Sequence, residues 1–124
     1  MIAGIGVDTA TVERIEKSIA RDNFYTRVYG AQERAALDAL SPLRRAQSAA
    51  GAWAAKEALG KALGTGLSGF VWTEAQVLHN ADGAPYFAFD GALLAMIKEK
   101  KLTAHLSITH EGGFATAFVV LEHV

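Results

Sequence analysis

A chain of 124 residues, about half hydrophobic (51%) and a fifth charged (20%), can bury one compact core and is neither disordered nor fibrous in composition. Its formal net charge of −1 excludes any global attraction to nucleic acid or to an acidic membrane surface, so a basic binding surface must be local. With no cysteine, disulfides, thiolate metal sites and a thiol nucleophile are excluded, and the composition is that expected of a soluble protein in a reducing cytoplasm.

The apolar start, residues 2–7, reads as a buried strand that ends at Asp8. It lacks a basic leader and meets a charge too soon for a signal peptide or a membrane span. Thr9 or Thr11 then caps a helix expected to run to about Arg21. Val12, Ile15 and Ile19 fall on one side of that helix, and Arg14, Lys17 and Arg21 form a basic stripe on the other. Residues 24–29 fit a helix or a strand equally well, with Gly30 closing them. A short helix follows over 31–40. Ser41-Pro42 is a start signal, a capping serine with proline in the first turn. The alanine- and leucine-rich run 43–63 is the longest predicted helix, stopped by Gly64-Thr65-Gly66.

The second half is richer in strands. Residues 71–78 and 86–89 read as a hairpin turned by Asn80-Ala81-Asp82-Gly83. Asp90 caps a helix over 92–100. Strands at 105–109 and 114–121 are joined by Glu111-Gly112-Gly113. The order of elements predicts a single-domain α+β fold over residues 1–124, with an antiparallel sheet packed on a long helix.

Three clusters carry candidate chemistry. Asp8, on a rigid strand, is placed to reach a cleft, although taken alone it reads better as a helix cap. Glu57 and Lys61 lie four residues apart on one face of the long helix, with Trp53 one turn before them. By themselves they are a solvated ion pair, but Trp53 and the flanking alanines point to partial burial. Two carboxylates from distant parts of the chain suit a hard cation that keeps some of its waters and shares a phosphate ligand, as Mg2+ does. The third cluster is the strand His105-Leu106-Ser107-Ile108-Thr109-His110. Alternation puts His105, Ser107 and Thr109 on one face and Leu106, Ile108 and His110 on the other. No G-x-S-x-G elbow accompanies the serine, and the four histidines show no zinc spacing, so a serine hydrolase and a zinc site are set aside.

Taken together, Gly4-Ile5-Gly6-Val7-Asp8, Arg14, the run from Trp53 to Gly66 containing Lys56-Glu57-Ala58 and Lys61, and Ser107-Ile108-Thr109-His110 resemble the holo-[acyl-carrier-protein] synthase family. These are the short 4′-phosphopantetheinyl transferases, and the resemblance spans essentially the whole chain. It implies a homotrimer with coenzyme A between subunits, and transfer of phosphopantetheine from coenzyme A to a serine of an acyl carrier protein. The resemblance assigns Mg2+ to Asp8 and Glu57 and sets Lys61 beside the phosphates. Glu57 is the expected activator of the serine hydroxyl. Arg44, Arg45, Gly64, Thr65, His105, Ser107, Thr109 and His110 are the expected nucleotide-site residues, and Arg14, Lys17 and Arg21 the carrier-docking face. Many relatives carry arginine immediately before the aromatic of the motif, where this chain has Ala52; Arg44, Arg45 or His105 then has to compensate. The rivals are a coenzyme A or carrier-protein binding module without transferase activity, and a hot-dog acyl-CoA thioesterase. The latter is disfavoured by the helices that precede the main sheet.

Overall fold

The computed structural model describes residues 1–124, apart from the side chain of Asp22. Strand β1 (Ile2–Thr11) leads into helix α1 (Val12–Ile19), then α2 (Asp22–Val28), α3 (Ala31–Asp38) and the 22-residue α4 (Pro42–Leu63). Two short 3-10 turns (Leu67–Gly69 and Trp72–Glu74) precede the hairpin β2 (Ala75–His79) and β3 (Pro85–Phe89). Helix α5 (Gly91–Glu99) and the long strands β4 (Leu102–Glu111) and β5 (Phe114–His123) complete the chain. No helix among the described residues is long and apolar enough to cross a membrane.

The predicted α+β class and antiparallel pairing are found, but the strands form two ladders. One is a three-stranded sheet in the order β1-β5-β4; the other is the β2-β3 hairpin. Strand β1 also runs further than expected. Asp8 lies inside it opposite Ala117, and pairing continues to Thr11 opposite Phe114, with Thr9 Oγ1 bonded to Thr116 Oγ1 at 2.9 Å. β-branched threonines suit this extended, paired backbone. Asp8 is therefore not the cap of α1. The N-cap is Thr11, which makes no side-chain capping bond. Residues 24–28 resolve as helix, within α2, and Tyr29 is its extended C-cap. The segment before Ala75, expected to be strand, is a 3-10 turn because Trp72 Nε1 donates to Leu67 O at 2.7 Å and bends the chain there.

Helix α4 lies across the inner face of the three-stranded sheet. Its buried residues are mostly alanine and glycine, among them Ala49, Ala50, Ala54, Ala55 and Ala58. Small side chains let a helix approach a sheet closely, and Gly4 and Gly6 of β1 take this to its limit. A Cβ on Gly4 would collide with Ala62 O, and one on Gly6 with Ala58 O. Gly64 ends α4 in the left-handed conformation (φ 80°), as its place in the sequence predicts.

A second tie holds α3, α4 and β2 together. Lys56, fully buried, donates from Nζ to Glu33 Oε1 (2.9 Å), Trp72 O (3.1 Å) and Ala75 O (2.6 Å). Glu33 also accepts from the amides of Gly30 and Val77, each at 2.9 Å. Gln76 Oε1 accepts from the amides of Gln32 and Glu33 and so caps α3 from β2. Burial pulls the Lys56 pKa below the ordinary lysine value, opposed by the Glu33 carboxylate.

Candidate active site

The close contact of β1 and α4 brings Asp8 and Glu57 together from positions 49 residues apart in sequence. Both are partly buried on the inner side of the sheet, Asp8 next to the Gly6 contact and Glu57 one residue beyond the Lys56 anchor. The Glu57 pKa is pushed up to about 7, first by burial and then by the hydrogen bond and negative charge of Asp8. The charges of Arg14 and Lys61 act in the opposite direction. Lys61 Nζ donates to Asp8 Oδ1 at 3.1 Å and to Val7 O at 3.0 Å. The lysine thus closes on the strand acid, not on Glu57 four residues before it. Its side chain remains 57% exposed, so its remaining N–H faces solvent.

A carboxyl whose pKa is pushed up to about 7 by burial and by a second carboxyl beside it marks a site short of positive charge. All-oxygen donors, an incomplete protein ligand set and an adjacent open side fit a magnesium ion that retains water. Among the described residues no cluster of three or more acidic, histidine or cysteine side chains that could hold a metal ion is present.

The basic stripe adjoins this site. Arg14, Lys17 and Arg21 line one surface groove of about 400 Å3 with Thr11, Glu13 and Ser18. Helix α1 ends at Ile19, so Arg21 reaches the groove from the start of α2. Lys17 is paired to Glu13 at 3.3 Å, fully at the surface. Arg21 also borders a second hollow, lined by Phe24, Arg27, Trp53 and Trp72. There the Arg27 guanidinium stacks over Trp72, and Trp53 packs against Phe24 and Trp72 at ring distances of 5.4 and 5.7 Å.

The expected nucleotide residues divide between separate places. His110 lies on the inner face, where its Nε2 meets Gln47 O at 2.9 Å. His105, Ser107 and Thr109 lie on the outer face of the sheet, with His105 paired to Glu122. One chain cannot bring both sets to one cleft. Arg45 is committed to the end of α3, donating to Leu37 O, Asp38 O and Leu40 O. Arg44 has no side-chain partner among the described residues and lines a cavity of about 510 Å3 with Ala52 and His110. The amides of Thr65 and Gly66 are bonded to Gly60 O, so this loop offers no free N–H cradle at those positions. Sequence reasoning passed over Lys56 with Glu33, whose pairing across 23 residues has no local signature, and also His79, which lines the Arg44 cavity.

A model of the 4′-phosphopantetheinyl transferase superfamily matches residues 4–119. A holo-[acyl-carrier-protein] synthase from Trichlorobacter lovleyi is 39% identical, with 98% of each chain covered, and one from Fusobacterium nucleatum is 34% identical, with 98% of this chain and 99% of that one covered. The fold superposes on the Bacillus anthracis holo-(acyl-carrier-protein) synthase in complex with CoA (3′,5′-ADP), with a TM-score of 0.85, 35% identity and 100% and 99% of the two chains covered. It also superposes on the Neisseria meningitidis holo-[acyl-carrier-protein] synthase, with a TM-score of 0.86, 33% identity and 98% and 99% coverage. With a family model matching residues 4–119, and the fold and nearly the full length in common with its members, this chain belongs to the 4′-phosphopantetheinyl transferase superfamily.

Proposed function

We infer that the protein is a holo-[acyl-carrier-protein] synthase. It transfers 4′-phosphopantetheine from coenzyme A to a serine of an apo-acyl carrier protein and releases adenosine 3′,5′-bisphosphate, in service of lipid biosynthesis. The observation that carries this reading is the Asp8–Glu57 pair with Lys61 closed over it, within a chain of this family. Asp8 and Glu57 would hold Mg2+, which when bound neutralises charge on the pyrophosphate oxygens. Lys61 presents its ammonium to the same oxygens. The carrier serine attacks the β-phosphate and needs its proton removed. Glu57 is the acceptor we assign, directly or through a water. Arg14, Lys17 and Arg21 would receive an acidic surface of the carrier protein beside the reacting groups.

A homotrimer with the site between subunits is part of the same proposal, and two observations support association. The outer face of the sheet exposes Ile5, Val7, Phe114 and Phe118, each between 44% and 59% accessible, an apolar surface that water leaves unpartnered. In addition, 17 residues of helix separate Arg44 from Lys61, roughly 25 Å along α4 at 1.5 Å per residue. The 5′-pyrophosphate and 3′-phosphate of coenzyme A share one ribose and cannot reach both ends of one helix. A neighbour's Arg44 cavity set against Asp8, Glu57 and Lys61 removes this conflict. A cysteine-free chain also suits a reducing cytoplasm.

The test is incubation with coenzyme A, Mg2+ and an apo-carrier protein, followed by mass spectrometry of the carrier. A gain of one phosphopantetheine that disappears with chelator is expected. An unmodified carrier in every condition would leave a non-catalytic binding module as the better reading.

A further inference from the structure

The cavity at Arg44 has a wall the family motifs do not explain. Ala36, Leu37, Leu40, Ala52 and Val77 make it largely apolar. Arg44 enters from α4, His79 from the end of β2 and His110 from β4. The remaining ionisable wall residue, Glu33, is already consumed by Lys56 and two backbone amides. The cavity therefore presents one unpaired guanidinium and two imidazoles with no free acid among its described lining residues. His110 Nε2 is engaged with Gln47 O, whereas the His79 ring makes no side-chain hydrogen bond among the described residues. Two imidazoles and an arginine around an apolar pocket are a receptor for a planar ring bearing an anionic group.

We propose that His79, together with Arg44, binds the phosphate-bearing nucleotide end of coenzyme A. This deepens the transferase reading and rests on it. The groups on the elements around His79 are Arg44 of α4, Glu33 of α3, His110 of β4, and Tyr86 and Asp82 on the hairpin. Burial, and then the neighbouring His110, hold the empty-state His79 below the ordinary histidine value. An anion seated between the rings reverses the second effect, so nucleotide binding draws a proton onto this imidazole. Coenzyme A affinity then weakens as pH rises, in a way a fixed cation would not show.

The experiment compares wild type with His79→Gln and His79→Arg, measuring KM for coenzyme A between pH 6 and 8.5 at saturating carrier protein. His79→Gln is expected to raise KM roughly tenfold at pH 6, the scale of one charge-assisted hydrogen bond, and much less at pH 8.5. The change should fall on KM with kcat little altered. His79→Arg, carrying a permanent charge, should restore low KM and flatten its pH dependence. Calorimetry with adenosine 3′,5′-bisphosphate in two buffers of different ionisation enthalpy should show proton uptake in wild type and less in His79→Gln. KM–pH profiles of both variants that superimpose on wild type, or equal proton uptake, overturn the assignment of His79. A wild type without transferase activity would instead overturn the reading it rests on, and the calorimetric comparison still reports on His79.

Discussion

Lys56 Nζ lies 2.9 Å from Glu33 Oε1 with both side chains sealed from water, while the very next residue, Glu57, turns toward the open site. Adjacent positions on α4 thus serve opposite ends, and the buried one fixes the helix rotation that presents the other. Removing one partner of a buried pair leaves an uncompensated charge, and Lys56→Met should cost about 3–5 kcal/mol in chemical denaturation. A loss below about 1 kcal/mol would show that the anchor matters less than its burial implies.

Glu57→Gln keeps the shape of the carboxyl but removes its charge and basicity. Transfer is expected to fall by at least about 100-fold in kcat. Asp8→Asn should act in the same direction and also raise the Mg2+ concentration needed for half-maximal rate. Turnover measured against Mg2+ concentration separates the two, and near-normal kcat in Glu57→Gln would remove it from the acid–base role.

Docking is best probed away from Arg14, because Arg14 already influences the Glu57 carboxyl. Lys17→Glu combined with Arg21→Glu should raise KM for the carrier protein roughly tenfold or more and weaken its dependence on salt. Steady-state kinetics at two ionic strengths check this. An effect confined to coenzyme A would place the carrier on another face.

Much of this was legible in the sequence, for identifiable reasons. Helix α4 announces itself through Ser41-Pro42 and Gly64, both local signals that tertiary structure respected. Arg14 and Lys17 of the basic stripe followed from helical periodicity, Arg21 joins them from beyond α1, and Ile15, the centre of the apolar opposite, is buried. What escaped is what depends on partners. The extension of β1 past Asp8 needs β5 alongside it, and the bend at Trp72 needs Leu67 O. The closure of Lys61 on Asp8 in preference to Glu57 requires knowing that β1 lies on α4. Strand alternation separated His105 from His110 correctly, but only the sheet's position shows that the two open onto different surfaces.

If the outer sheet face is the association surface, Phe118→Lys should dissociate the oligomer. Phe118 pairs with Val7 on one side and Ser107 on the other, at the centre of that face. Sedimentation should report a smaller species with unchanged circular dichroism and strongly reduced activity. An unaltered mass would mean that copies meet elsewhere.

Tyr25 offers a test of the fold that is independent of catalysis. Its hydroxyl donates to Asp38 Oδ1 at 2.7 Å, and its pKa is pushed up to about 12, by burial first and then by Asp38. The unfolded chain releases this proton near 10 and the native one only near 12, so between those values the native state binds more protons. The contribution to stability is present below pH 10 and is lost as pH rises through that window. Denaturation across pH 9–12 should show the decline in wild type and a shallower one in Tyr25→Phe.

The contact between Gly4, Gly6 and α4 has a consequence for when free energy is spent. Backbone there meets backbone, with no rotamer able to yield, so the spacing of Asp8 and Glu57 is set as the chain folds. The cost of holding the two acids side by side is thus met by folding and not by ligand capture. If Asp8 and Glu57 hold Mg2+ as proposed, the cation would find its two ligands preorganised, and the same event that completes the site would also tighten the fold.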